Sequence, residues 1–148
     1  HSFYVAVEGF KLYEEYNFNL ERAVSMAVCH DFLESMVDDV SYSPKKQYPE
    51  IKAAVLNAEL MEVKEYPDFI RSLILEYIGE ASIESMIVHL ADSIQCLTYA
   101  KNEVSLGNSG YIVEVLEDLP SRIDMIKSKL IGVRRCFRLA AVFSMMNN

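Results

Sequence analysis

Apolar residues recur every three or four positions along nearly the whole chain, and that period admits one kind of element. Between Ser82 and Glu103 they fall at Met86, Leu90, Ile94 and Leu97, one face of a long helix. The five glycines and four prolines stand at breaks in this pattern rather than at the spacing of strand turns. The chain is therefore read as all-α. Its 148 residues, 51% of them hydrophobic with mean hydropathy +0.09, supply one core and one domain.

The breaks divide the chain into about six or seven helices. The first runs from about Ser2 to Tyr16, on Phe3, Val7 and Phe10 opposite Glu8, Glu14 and Glu15. The second runs from Leu20 to about Val37, with Asn19 as N-cap and Val24, Ala27, Val28 and Phe32 at helical spacing. The polar segment 38–49 is expected to be a loop, and loops held by rigid elements often carry function. Pro49 suits the first turn of a helix to about Tyr66, with Ile51, Val55, Leu56, Leu60 and Val63 as its core face. Pro67 opens another, ended by Gly79, and Ser82 with Ser85 opens the long helix that "SLGNSG" breaks. A short helix over Tyr111–Glu117 and a last one from Pro120 complete the reading.

Charge narrows the partners. Asp and Glu outnumber Lys and Arg 22 to 14, a net charge of -8, which excludes a protein whose main partner is a nucleic-acid backbone. An anionic small molecule needs a local positive centre, such as a metal ion. No apolar run reaches the roughly 18 residues that span a bilayer, so no membrane partner is expected. Cys29, Cys96 and Cys136 are odd in number and far apart, which gives no disulfide framework or zinc-ligand spacing and places the chain in a reducing compartment. Lys45-Lys46 and Arg134-Arg135 read as solvated faces or helix-end charges.

Three polar features sit within the apolar pattern. In "CHDFLE", His30 and Asp31 are splayed by about 100 degrees on a helix, as for two ligands approaching one ion, and Glu34 follows one turn later. A helix-edge ion pair is the plainer account of the same residues. In "HLADSIQC", Asp92 lies among Leu90, Ala91, Ile94 and Leu97, where a carboxylate is costly unless paired or bound to a cation. His89, one turn back, is the plainer partner. The third feature is His1, on the same side of the first helix as Val5 and Glu8.

In the order His, then His-Asp roughly 30 residues on, then a lone Asp roughly 60 residues further, the chain resembles the HD-domain metal-dependent phosphohydrolases. Within them it is most similar to the bacterial and phage 5'-deoxynucleotidase branch. The likeness runs through "HS", "HDFLESMVDDVSYSPKK" and "HLADSIQCLTYAKNEVSLGNSGYIVEV". It implies a helical HD-domain bundle over 1–148, with a further helix expected ahead of residue 1. It also implies that His1, His30, Asp31 and Asp92 bind one divalent ion (Co, Mn, Mg or Zn), that Glu34 orients or protonates around the attacking water, and that Asp39 places that water or the sugar. Ser43, Lys45 and Lys46 match the Pro-Lys loop as phosphate contacts, and Glu76 matches an acidic position ahead of the last ligand helix.

The implied reaction is attack of metal-bound water on the phosphorus of a deoxynucleoside 5'-monophosphate. The alternatives are a deoxynucleoside triphosphate triphosphohydrolase of the same superfamily and a non-catalytic helical module. In that module His30 pairs with Asp31 and Asp92 with His89. A small-molecule nucleotide is the expected partner, in the cytoplasm of a bacterium or of a phage-infected host. Self-association as a homodimer or larger homo-oligomer is expected from the resemblance and from the Met- and aromatic-rich "FRLAAVFSMMNN".

Overall fold

The computed structural model describes residues 1–37 and 40–146, with side chains throughout except at Ser35, Tyr42, Tyr111 and positions 134–146. Asp39, the side chains of Met145 and Met146, and the Arg134-Arg135 pair lie outside what is described. The fold is all-α, with no strand among the described residues. Six helices have ten residues or more: α1 (Ser2–Tyr16), α2 (Leu20–Cys29), α5 (Pro49–Glu62), α6 (Asp68–Ile78), α7 (Ile83–Ser105) and α8 (Tyr111–Met146). Between α2 and α5 stand two short ones, α3 (Glu34–Val37) and α4 (Tyr42–Gln47), and a 3-10 turn at Val63–Glu65 follows α5.

Helix α7 is the axis of the bundle. It packs on α1, α2, α6 and α8, so every one of those helices is positioned relative to it. Its start is set by sequence: the Ser82 hydroxyl accepts from the Ser85 amide, and the Ser85 hydroxyl lies 3.0 Å from the Ser82 amide, a reciprocal cap of two free donors. The main core joins Val5, Leu12, Met26, Leu73, Ile74, Ile87 and Leu90. A smaller one, Ala100, Ile112, Val115 and Leu119, joins the end of α7 to the start of α8. Between those two helices Gly107 and Gly110 take φ of 91° and 89°, a region that side chains with a Cβ avoid.

Several sequence expectations are corrected. Helix α2 ends at Cys29 instead of running to Val37, because residues 30–33 form tight turns closed by Phe32 N–H to Cys29 O and Glu34 N–H to Asp31 O. The 38–49 segment contains the helix α4. The apolar stripe of α1 is not its buried face: Phe3 is 72% and Phe10 55% exposed, while Val5, Ala6, Gly9, Leu12 and Tyr16 are buried. Helix α5 buries no residue of its own, and of its expected core face only Val63, in the following turn, reaches the core.

Pro120 does not start a new helix either but lies inside α8. Its ring removes a backbone donor there, a cost of about 3 kcal/mol in an isolated helix. The buried Leu119, Ile123 and Ile126 on either side keep the two halves packed as one element. The cap at Asn19, Pro49 in the first turn of α5 and the stop at Gly79 are found where the sequence places them.

Candidate metal centre

Three elements converge at the middle of α7. His1 precedes α1, and its carbonyl accepts from the Tyr4 and Val5 amides, which fixes the backbone that carries the ring. His30 and Asp31 stand on the turn after α2, and Asp92 in the middle of α7. The break in α2 matters here, because it lets the two neighbouring side chains project from a turn rather than from a helix face. One ligand atom each from His1, His30 and Asp92 lie within 4.8 Å of one another, the spacing of a cation site. His1 Nε2 is 3.0 Å from Asp92 Oδ1 and 3.7 Å from Asp31 Oδ2, so Asp31 adjoins the same point.

His30 is the most informative of the four. Its side chain is 2% exposed. Nδ1 lies 2.7 Å from the Ala27 carbonyl, which can only accept, so the ring proton sits on Nδ1 and the Nε2 lone pair is bare. That Nε2 is buried and has no hydrogen-bond partner. Asp31 Oδ1 is 2.9 Å away, without the geometry of a hydrogen bond to it. An orphaned buried imidazole nitrogen is costly, and it is the atom a divalent ion would take.

The charges agree with the geometry. The hydrogen bond that His1 donates to Asp92 raises the His1 pKa to about 9, so with no cation bound its ring is an imidazolium held between carboxylates. Burial pushes His30 down, but the Asp31 carboxylate more than compensates and the net shift is upward. Burial likewise works against the Asp31 carboxylate, yet His30 and His1 hold its pKa below the ordinary value. Site and proton compete for the same lone pairs, as expected of ligands that must be deprotonated to bind.

Asp92 does not pair with His89. The His89 ring donates Nε2–H to the Tyr77 carbonyl at 2.9 Å and stacks on the Tyr77 ring, centroids 4.0 Å apart. Burial lowers its pKa and keeps it neutral. Tyr77 meets His30 edge-on at 5.3 Å, forming an aromatic wall beneath the ligands, and burial raises its hydroxyl pKa well above 10. No signal in the sequence had marked Tyr77, since an aromatic in an apolar helix reads as core.

Above the ligands opens a cavity of about 760 Å³, lined among others by Glu34, Glu59, Gln95, Tyr99 and Arg122. That volume accommodates a nucleotide-sized molecule. Glu34 thus reaches the cavity from α3, as the sequence order suggested. The remaining candidates among the described residues, Glu76, Ser43, Lys45 and Lys46, are not brought there. Glu76 binds Arg22, with Arg22 Nε 3.0 Å from Oε2, and accepts from Ser82. Ser43 donates to Glu114 at 3.0 Å, and Lys46 pairs with Asp118. These contacts, and the absence of Ser43, Lys45 and Lys46 from the described cavity lining, set the loop on the flank of α8.

An all-α bundle in which a His, a His-Asp pair and a helical Asp meet at one point defines a domain of the HD type. Over residues 1–137 the chain matches the family described as 5'-deoxynucleotidase YfbR-like, and it belongs to that family. A solved structure, a conserved hypothetical protein from Pyrococcus furiosus, is similar at 26% identity with a TM-score of 0.65, covering 91% of this chain and 81% of the other. No curated protein matches. Among the described residues no helix is long and apolar enough to cross a membrane.

Proposed function

We propose that the protein is a metal-dependent phosphohydrolase that releases phosphate from deoxynucleoside 5'-monophosphates. The observation that carries the reading is the bare, buried Nε2 of His30 within one cation's reach of His1 and Asp92, on the floor of the cavity. His1, His30 and Asp92, with Asp31 beside them, would hold one divalent cation; when bound it supplies a positive centre that acidifies water and polarises a phosphoryl oxygen. Glu34 takes the proton of the attacking water as its oxygen bonds to phosphorus. The bond from phosphorus to O5′ breaks, and the leaving oxygen receives the proton that Glu34 took, to give the deoxynucleoside.

Asp39 is assigned the placement of that water or of the sugar on the family pattern alone. Tyr77 and His89 exclude water beneath the ligands by filling the space with stacked rings. The lining favours one phosphate over three: Asp31, Glu34, Glu59 and Asp92 face Arg122 alone among the described Lys and Arg lining residues. A triphosphate would bring several negative charges to that acidic wall.

The test is phosphate release from a panel of deoxynucleoside mono- and triphosphates with Mn or Co, beside the metal content of the protein. Release from monophosphates is expected. Release of triphosphate from the triphosphates alone, or no release with no metal retained, contradicts the proposal.

A further inference from the structure

The sequence alone marked no cationic residue of α8 in this region, yet one reaches the cavity. Glu114, Asp118 and Arg122 follow one another at intervals of four on α8 and so share a face. The first is engaged by Ser43 and the second by Lys46, both from α4. One turn further, where α4 no longer covers the face, Arg122 lines the cavity that holds Glu34 and Asp92. It forms no salt bridge or hydrogen bond among the described residues, in contrast to Arg22 with Glu76 and Arg71 with Asp68.

Its backbone is fixed. Leu119, Ile123 and Ile126 are buried on both sides of it in the sequence, so the helix presents the guanidinium from a packed base. Its charge is felt across the cavity wall, where it works against burial at Tyr77 and Cys96 and adds to burial in lowering the pKa of His89. A guanidinium that lines the same cavity as the ligand residues and forms no ion pair or hydrogen bond among the described residues is available to an anion from outside. Guanidinium offers paired donors that match two phosphate oxygens, and such charge-assisted pairs are the strong ones.

We infer that Arg122 binds the non-bridging oxygens of the substrate's phosphate group, so that the phosphate is gripped from α8 while the ligand residues of α1, α2 and α7 face it. The inference rests on the phosphohydrolase reading and adds the phosphate subsite to it. In this arrangement the loop lysines serve α8 and the phosphate is read by Arg122.

The test is titration calorimetry on the Mn-loaded protein with two probes, inorganic phosphate and 2′-deoxyadenosine, in wild type, Arg122→Gln and Arg122→Lys. Arg122→Gln should weaken phosphate binding roughly 10- to 100-fold, the worth of a charge-assisted hydrogen-bonded pair. Arg122→Lys should lose less, since charge is kept and the fork is not. Metal content, helical circular dichroism and 2′-deoxyadenosine affinity should be unchanged in both. Equal phosphate binding in wild type and Arg122→Gln, while wild type still hydrolyses monophosphates, overturns the Arg122 assignment and leaves the phosphohydrolase reading standing. Parallel loss of phosphate and 2′-deoxyadenosine binding in Arg122→Gln overturns it too, because that pattern marks a structural residue. A wild type that neither retains metal nor hydrolyses any nucleotide overturns both.

Discussion

Two polar clusters both draw on α2 and α7 and end differently. Around Glu76, the Arg22 guanidinium donates from α2 and Ser82 from the cap of α7, and carboxylate and guanidinium satisfy each other. Around Asp92, two histidines and a second carboxylate gather as closely, yet the buried His30 Nε2 has no hydrogen-bond partner. The first cluster is closed and sits against neighbouring elements; the second is open and floors a cavity. Proximity of charged groups does not by itself mark a site. An unsatisfied, correctly tautomerised lone pair facing a cavity does.

Breaking each cluster should therefore have opposite signatures. Asp92→Ala should abolish metal binding and lower phosphate release roughly 1,000-fold or more, since the cation supplies several kcal/mol of charge stabilisation. Without metal its stability should also fall near pH 7, by an amount discounted for the partial exposure of His1, because the pair between the His1 imidazolium and Asp92 is lost; urea unfolding would show it. Glu34→Ala should retain the metal and lose turnover by about 100- to 10,000-fold, the range of a general base. Equal metal loss in both variants would contradict the separate role of Glu34.

The closed cluster should do the reverse. Glu76→Gln should keep metal and turnover and lose about 1–2 kcal/mol of stability, discounted because Arg22 is partly exposed. Arg22 holds the Glu76 pKa below its ordinary value of 4.5. The carboxylate's contribution is thus fully present above that value and is lost as pH falls through the lower folded-state pKa. The stability gap between wild type and Glu76→Gln should narrow as pH drops below 4.5, and urea midpoints at pH 7 and at acid pH measure it. A gap independent of pH would remove the ion pair from the account. The smallest effect is expected at Lys46→Ala, which breaks an exposed pair and should cost less than about 1 kcal/mol with phosphate release unchanged.

The contrast also explains what was legible in the sequence. Helix periodicity and the breaks at Pro49, Gly79, Ser82 and "SLGNSG" carried the fold class, because burial and capping act locally. His1, His30, Asp31 and Asp92 could be singled out because each is a polar group in an apolar pattern. The end of α2 was hidden, since neither Gly nor Pro marks it. Glu76 was a candidate through the family likeness alone, and its long-range partner Arg22 sets it apart from Asp92. Tyr77 and Arg122 were invisible for the converse reason. An aromatic on a core face and an arginine on a helix surface are ordinary until another element brings a cavity to them.

The most direct measurement is metal stoichiometry in three proteins handled alike, after dialysis against Mn. Wild type and Glu76→Gln should each retain one divalent ion per chain, and Asp92→Ala should retain none. Retention by Asp92→Ala equal to wild type, or no retention by any of the three, would contradict the claim that the open cluster is a metal centre.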